Sequence, residues 1–224
     1  MANFPLLFLG WGAFWLVTIN LPPGPREIET AYRLNFMNGV VSSIAALLAL
    51  LNIIDDSVAT ASTISYFFVD FVNILLNDHY YKVKSYQTPT ARKVEYFHHI
   101  LCFGVGMLSE FHYQDVCTLE RNPFIYLLLA EISTPFLIAW RATGSTLMGL
   151  IFVVLFVTVR LLYHGIYVVP DCIRHCPLVG MGCGLPYLFM NFYFFYMIVQ
   201  KLLRKTKSSK KVELCPKVSF HHLK

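Results

Sequence analysis

Apolar residues fall along this chain in seven long blocks, at 4–21, 34–54, 59–78, 94–113, 122–140, 146–167 and 184–203. Each block is close to the ~20 residues that a helix needs to cross ~30 Å of hydrocarbon. The spacers between them are short and hold the proline, glycine and charge: "LPPGPREIET", "DDS", "NDHYYKVKSYQTPTARK", "SEFHYQDVCTLERN", "RATGS" and "VVPDCIRHCPLVGMGCG". The pattern predicts an all-α, polytopic membrane bundle. The first block lacks a basic leader, and no small-residue cleavage site follows it, so it reads as an uncleaved anchor and not as a signal peptide.

Composition agrees with the pattern. The 224 residues are 56% hydrophobic and 16% aromatic, with 14% charged, against roughly a quarter charged in ordinary soluble domains. Mean hydropathy is +0.55. Charge then orients the bundle through the excess of Lys and Arg on cytosolic loops. With the C-terminus in the cytosol, that side holds Arg26, Arg33, Lys82, Lys84, Arg92, Lys93, Arg141 and the eight basic residues from Lys201 to Lys224, fifteen of the 18. The opposite side holds Arg121 and Arg174, and Arg160 lies within a span. The formal net charge of +5 is thus a feature of cytosolic loops and tail. Those charges meet anionic lipid headgroups first, so no nucleic-acid partner is expected. The chain divides into an N-terminal anchor and linker (1–29), a transmembrane domain (30–204) and a basic tail (205–224) that is expected to lack fixed structure.

Six cysteines follow the same division. Cys117, Cys172, Cys176 and Cys183 fall in non-cytosolic loops, where one or two disulfides can persist. A zinc site is the weaker reading, because their spacing matches no common finger. Cys102, in a span, and Cys215, in the tail, are expected as free thiols. No N-x-S/T sequon occurs, and no resident metal or cofactor is expected.

Candidate chemistry lies in the polar residues of the spans, since charge in lipid is costly and marks pairing or function. These are Asp70, His98, His99, Glu131, Arg160 and Asn191, with Asn35, Asn38 and Tyr66 beside them. A rise of ~1.5 Å per residue puts Asp70 and Glu131 ~12–14 Å deep from the cytosolic end, His98 and His99 ~6–8 Å, and Arg160 ~21 Å. Arg160 can reach back towards Glu131. A Glu131–Arg160 pair that only fixes helix packing is the plain alternative to a functional one, and the asparagines serve equally well as interhelical glue. Adjacent residues on a helix point ~100° apart, so His98 and His99 face different partners. Pro135 is expected to kink the fifth span, with Ser133 and Thr134 re-satisfying the freed backbone. No P-loop, G-x-G-x-x-G, H-E-x-x-H or G-x-S-x-G is present.

Five pieces in order resemble the TLC-domain family, which includes the ceramide synthases and a group of orphan proteins. They are Arg33 opening the second span, "SYFFVDF" with Asp70, "FHHILCFGVG" with the His pair, "EISTPF" followed by Trp140 and Arg141, and "FVTVRLL" with Arg160 followed by "MNFYFFY" with Asn191. The "E-x-S-x-P" piece is similar to the orphan members. The synthase-type H-D-x-x-D run is missing, with Glu131 the one acid in "LLLAEISTPF". Gly39 stands where many orphan relatives carry a His.

The resemblance implies a TLC-type barrel of six helices around a lipid-sized cavity, plus the N-terminal helix. Asp70, Glu131, Arg160, Asn191, Asn38 and Tyr66 would line that cavity. It implies an endoplasmic-reticulum protein whose partners are membrane lipids. Two functions follow from the resemblance, beside a third reading, a helical transport or cargo receptor, for which the sequence shows no dedicated motif. One is binding or sensing of lipid that influences membrane lipid composition. The other is acyl transfer from acyl-CoA, as co-substrate, with His98 or His99 as general base or acyl-imidazole nucleophile and the basic segment Lys82–Lys93 meeting the CoA phosphates.

Overall fold

The computed structural model describes residues 3–21, 27–82, 88–119 and 121–213, without the side chains of 27–28, 112–116, 201–202 and 204–213. The expectations for Arg26, Lys84, Lys217, Lys224 and Cys215 lie outside them. Every regular element among the described residues is helical. In order they are α1 (Phe4–Asn20), α2 (Glu27–Leu50), α3 (Asp56–Leu75) with a π-helical extension Leu76–Tyr80, and α4 (Pro89–Val116). A composite rod follows, built of α5 (Pro123–Leu128), a 3₁₀ segment Leu129–Ser133 and α6 (Thr134–Thr143). The next rod is α7 (Thr146–Leu155), a π-helical stretch Phe156–Val168 and α8 (Val169–His175). After α9 (Pro177–Val179) and a π turn Gly180–Gly184, α10 runs from Leu185 to Glu213.

Five of these stretches are long and apolar enough to cross a membrane: Glu29–Leu50, Asp56–Tyr80, Pro123–Thr143, Thr146–His175 and Pro177–Gln200. The shorter apolar helix α1 accompanies them. The protein is therefore a multi-pass, all-α membrane bundle. Helix α4 is 28 residues long but more polar, because it carries Arg92, Lys93, Glu95, His98, His99 and Glu110. The chain forms two compact units, Met1–Leu188 and Phe189–Lys224. The second consists of the greater part of α10, which stays helical through Glu213 and so into the segment expected to lack structure.

Within the first unit, α1 is part of the bundle. Trp15 is fully buried, and its Nε1 donates to the Ser62 carbonyl of α3 at 2.8 Å. Phe4 meets Phe111 of α4 edge-on at 5.5 Å. Helix α3 is the most enclosed of the five spans, with 67% of its window buried. Small residues make that burial possible: Ala59, Thr60, Ala61, Ser62, Thr63 and Ser65 are all buried, and they let neighbouring backbones come close. Gly106 of α4 does the same from the other side. A Cβ there would lie 2.5 Å from Ile64 Cγ1 and 3.0 Å from Phe124 Cζ.

At one end of the bundle α2 stops in a left-handed Asn52, φ 57°, a residue tolerated in that conformation. Arg121 closes the stop by donating to the Ala49 carbonyl and to Asn52 Oδ1. At the same end one disulfide joins Cys117 to Cys176, and the Thr118 N–H donates to the His175 carbonyl at 2.9 Å. Cys172 and Cys183 remain free thiols.

Gly106→Ala is expected to cost about 1–3 kcal/mol through overpacking. The thermal midpoint of the detergent-solubilised protein should fall, and adding Ile64→Ala should recover part of the loss. An unchanged midpoint for Gly106→Ala would contradict this close α3–α4 approach.

Candidate functional site

The fifth rod sets up the first polar group through Pro135. Proline has no N–H, and its ring crowds the carbonyl four residues back. The turn before it tightens to 3₁₀, and the Thr134 N–H bonds the Glu131 carbonyl. In an α-helix that N–H would have taken the Ala130 carbonyl. The Ala130 oxygen is left for others, and Ser133 Oγ donates to it at 3.1 Å and Arg160 Nε at 2.9 Å. Arg160 Nε also reaches Ser133 Oγ at 3.0 Å, and its Nη2 donates to Thr134 Oγ1 at 2.9 Å and to Glu131 Oε1 at 3.4 Å. Thr134 Oγ1 in turn donates to Glu131 Oε2 at 2.8 Å. Glu131 and Arg160 are both buried, and Phe156 lies under the guanidinium at 5.5 Å. This is a packing pair between two rods, satisfied within itself. Gly39 meets the same kink, since a Cβ there would sit 2.6 Å from Pro135 Cδ.

The second group joins α2, α3 and α4. Asp70 and His99 are each 3% exposed. His99 Nε2 lies 2.9 Å from Asp70 Oδ2, and His99 Nδ1 lies 2.9 Å from the Glu95 carbonyl. Tyr66 Oη is 3.3 Å from Asp70 Oδ2 and 3.2 Å from Asn35 Oδ1. Asn35 is oriented by donating from Nδ2 to the Ala31 carbonyl at 2.7 Å. His98 points elsewhere, as its position beside His99 requires. It is half-buried, and its Nδ1 is 3.5 Å from Cys102 Sγ. Phe67 stands edge-on to both imidazoles, 5.4 Å from His98 and 5.5 Å from His99.

Between the two groups lies a cavity lined by residues that include Phe67, Cys102, Val105, Glu131 and Tyr187. Its volume is about 20 Å³, which is room for about one water molecule. It corrects the expectation of a lipid-sized hollow at this point, because Phe67, Val105, Phe124 and Leu128, all buried, fill the centre. Of the six polar residues expected around a cavity, Glu131 lines this one. Asp70 and Tyr66 belong to the His99 network and Arg160 to the Glu131 pair. Asn38 lies in the α2–α3 seam, where Ser42 Oγ donates to its Oδ1 at 2.8 Å and meets Thr63 Oγ1 at 2.7 Å. Asn191 lies in the second unit.

Three polar groups escaped the sequence reading. Arg92 grips Asp78 with two nitrogens, at 2.8 and 2.9 Å, and donates to Glu95 Oε2 at 2.8 Å. Tyr96 Oη donates to the same Asp78 at 2.7 Å. Arg92 is 7% exposed and thus committed to this pair, which corrects its expected place among phosphate-binding residues. Towards the disulfide, Glu110 accepts from Ser57 Oγ at 2.6 Å, and the Asn122 N–H donates to Asp56 Oδ2 at 3.3 Å. His164 is fully buried in the π-helical stretch and donates from Nε2 to the Tyr126 carbonyl at 2.9 Å. The i, i+3 spacing of Arg92 to Glu95 was a signal that could have found the first of these groups. The others depend on tertiary contacts.

No family model, curated protein or solved structure matches the chain.

Arg160→Ala is expected to destabilise the bundle by about 3–5 kcal/mol, because Glu131 is then a buried charge without its partner. The double variant Arg160→Met with Glu131→Leu should lose much less. Thermal melts of the three proteins check this, and a double variant as unstable as the single one would contradict a pair that is satisfied within itself.

Proposed function

We propose that the protein binds or senses lipid and influences membrane lipid composition, as a multi-pass protein of the endoplasmic reticulum with a cytosolic C-terminus. The supporting observation is the division between the two histidines. His99 is closed into a network with Asp70, while His98 remains half-buried on the α3–α4 seam. Phe97 and Ile100 of the same helix are exposed and give α4 an apolar outer face, while His98, ~100° and ~200° round the helix from them, faces Phe67 and Cys102. The count of residues into the span puts it ~6–8 Å from the end of the hydrocarbon, where such lipid groups lie. The basic residues listed by position above support the orientation. The order of motifs supports placement beside the orphan TLC-domain proteins.

A second reading is acyl transfer from acyl-CoA, as in the ceramide synthases. His98, half-buried with its Nδ1 3.5 Å from the Cys102 thiol, is the residue of the pair considered for it. His99 is disfavoured, since both of its nitrogens face oxygen atoms of the protein. The missing H-D-x-x-D run also weighs against it.

Native mass spectrometry of the purified protein is expected to show a bound lipid whose occupancy falls severalfold in His98→Ala, with no turnover of acyl-CoA when mixed amine and hydroxyl lipids are supplied. Turnover that His98→Ala abolishes would replace the binding reading with the transfer reading. A protein free of lipid and without turnover would remove both.

A further inference from the structure

The surroundings of His99 fix how many protons it carries. Its Nδ1 lies 2.9 Å from a backbone carbonyl, that of Glu95, which can only accept. Its Nε2 lies 2.9 Å from a carboxylate oxygen, Asp70 Oδ2. A neutral imidazole has one N–H and one bare nitrogen. A bare nitrogen facing either oxygen would put two lone pairs against each other in a site from which water is excluded. The network therefore needs one proton more than a neutral ring and an ionised carboxylate provide.

The other neighbours show where that proton sits. Tyr66 Oη lies 3.3 Å from the same Asp70 Oδ2 and 3.2 Å from Asn35 Oδ1, so its single hydrogen is shared between two acceptors. Asn35 turns its oxygen to Tyr66, because its Nδ2 is spent on the Ala31 carbonyl. From α4, the Glu95 carboxylate is held by Arg92 at 2.8 Å. His98 sits with its ring centroid 5.5 Å from that of His99, and Phe67 and Tyr66 present rings. Imidazole is a stronger base than carboxylate by roughly 2.6 pK units in water.

We propose that His99 is a permanent imidazolium, ion-paired with Asp70, and that it is a positioning residue which clamps α3 to α4 and holds neither a base nor a nucleophile for substrate. This goes beyond the lipid reading and stands whether His98 binds lipid or transfers an acyl group.

The test is ¹⁵N spectroscopy of the full chain, labelled at histidine and reconstituted in lipid nanodiscs. One histidine should show both ring nitrogens protonated at about pH 8, where a free imidazole is neutral. That signal should vanish in His99→Gln. It should also vanish in Asp70→Asn, which keeps the size of the side chain and removes its charge. The Asp70→Asn protein also guards against a His99 variant that fails to fold, and its elution as a single species reports the fold. A His99 with one bare nitrogen at neutral pH would overturn the proposal. So would a doubly protonated signal that persists in Asp70→Asn, since the proton would then not depend on the carboxylate. A purely structural role for a neutral His99 would lower stability in both variants without producing the signal in the parent protein.

Discussion

An ionised side chain in hydrocarbon is several kcal/mol unfavourable unless it meets a counter-charge, and the bundle is arranged around that constraint. Acid and base meet at four levels: Asp78 with Arg92, Asp70 with His99, Glu131 with Arg160, and Asp56 with Arg121. Three of these four acids belong to one rod, α3 and its π-helical extension. It is tied near both ends and once between, while its small residues bring the neighbouring helices close. The fourth pair joins the two composite rods, and there the 3₁₀ tightening before Pro135 supplies the Ala130 carbonyl that an arginine needs. Pairing in this way joins elements far apart in sequence, and it leaves little freedom in how they pack.

The same closure limits the chemistry. A group whose hydrogen bonds are all made inside the protein has none to offer a ligand without breaking them. Glu131 and Arg92 are in that position, and a strongly polar appearance in the sequence overstates what they can do for a substrate. His98 is half-buried, with the Cys102 thiol 3.5 Å from its Nδ1 and Phe67 edge-on at 5.4 Å.

Much of this was legible in the sequence, and the part that was not has a common cause. Length and hydropathy give the helices, and counting along them gives depth, so Glu131 and Arg160 could be expected within reach despite unequal positions. The ~100° step between neighbours separated the two histidines before any coordinates did. What counting cannot give is the rotation of each helix about its axis relative to the others, which packing alone sets. Hence Asn38 turned to Ser42, which meets Thr63 in the α2–α3 seam, and not to a central hollow, and Asp78 found Arg92 across a loop. The hollow itself depended on the size of Phe67, Val105 and Phe124 at their meeting point. Gly39, which as a departure from the resemblance had no assigned purpose, has a steric one at the Pro135 ring.

Closure of the centre also bears on how a lipid could approach. Entry through the middle would have to displace Phe67 from between the two imidazoles and part α3 from α4. That would separate Asp70 from His99 and leave two buried charges alone, at about 3–5 kcal/mol for a broken pair of this kind. Approach along the outer face of α4, past the exposed Phe97 and Ile100, leaves that pair intact. Of the two routes, the lateral one asks the protein to lose nothing that holds it together.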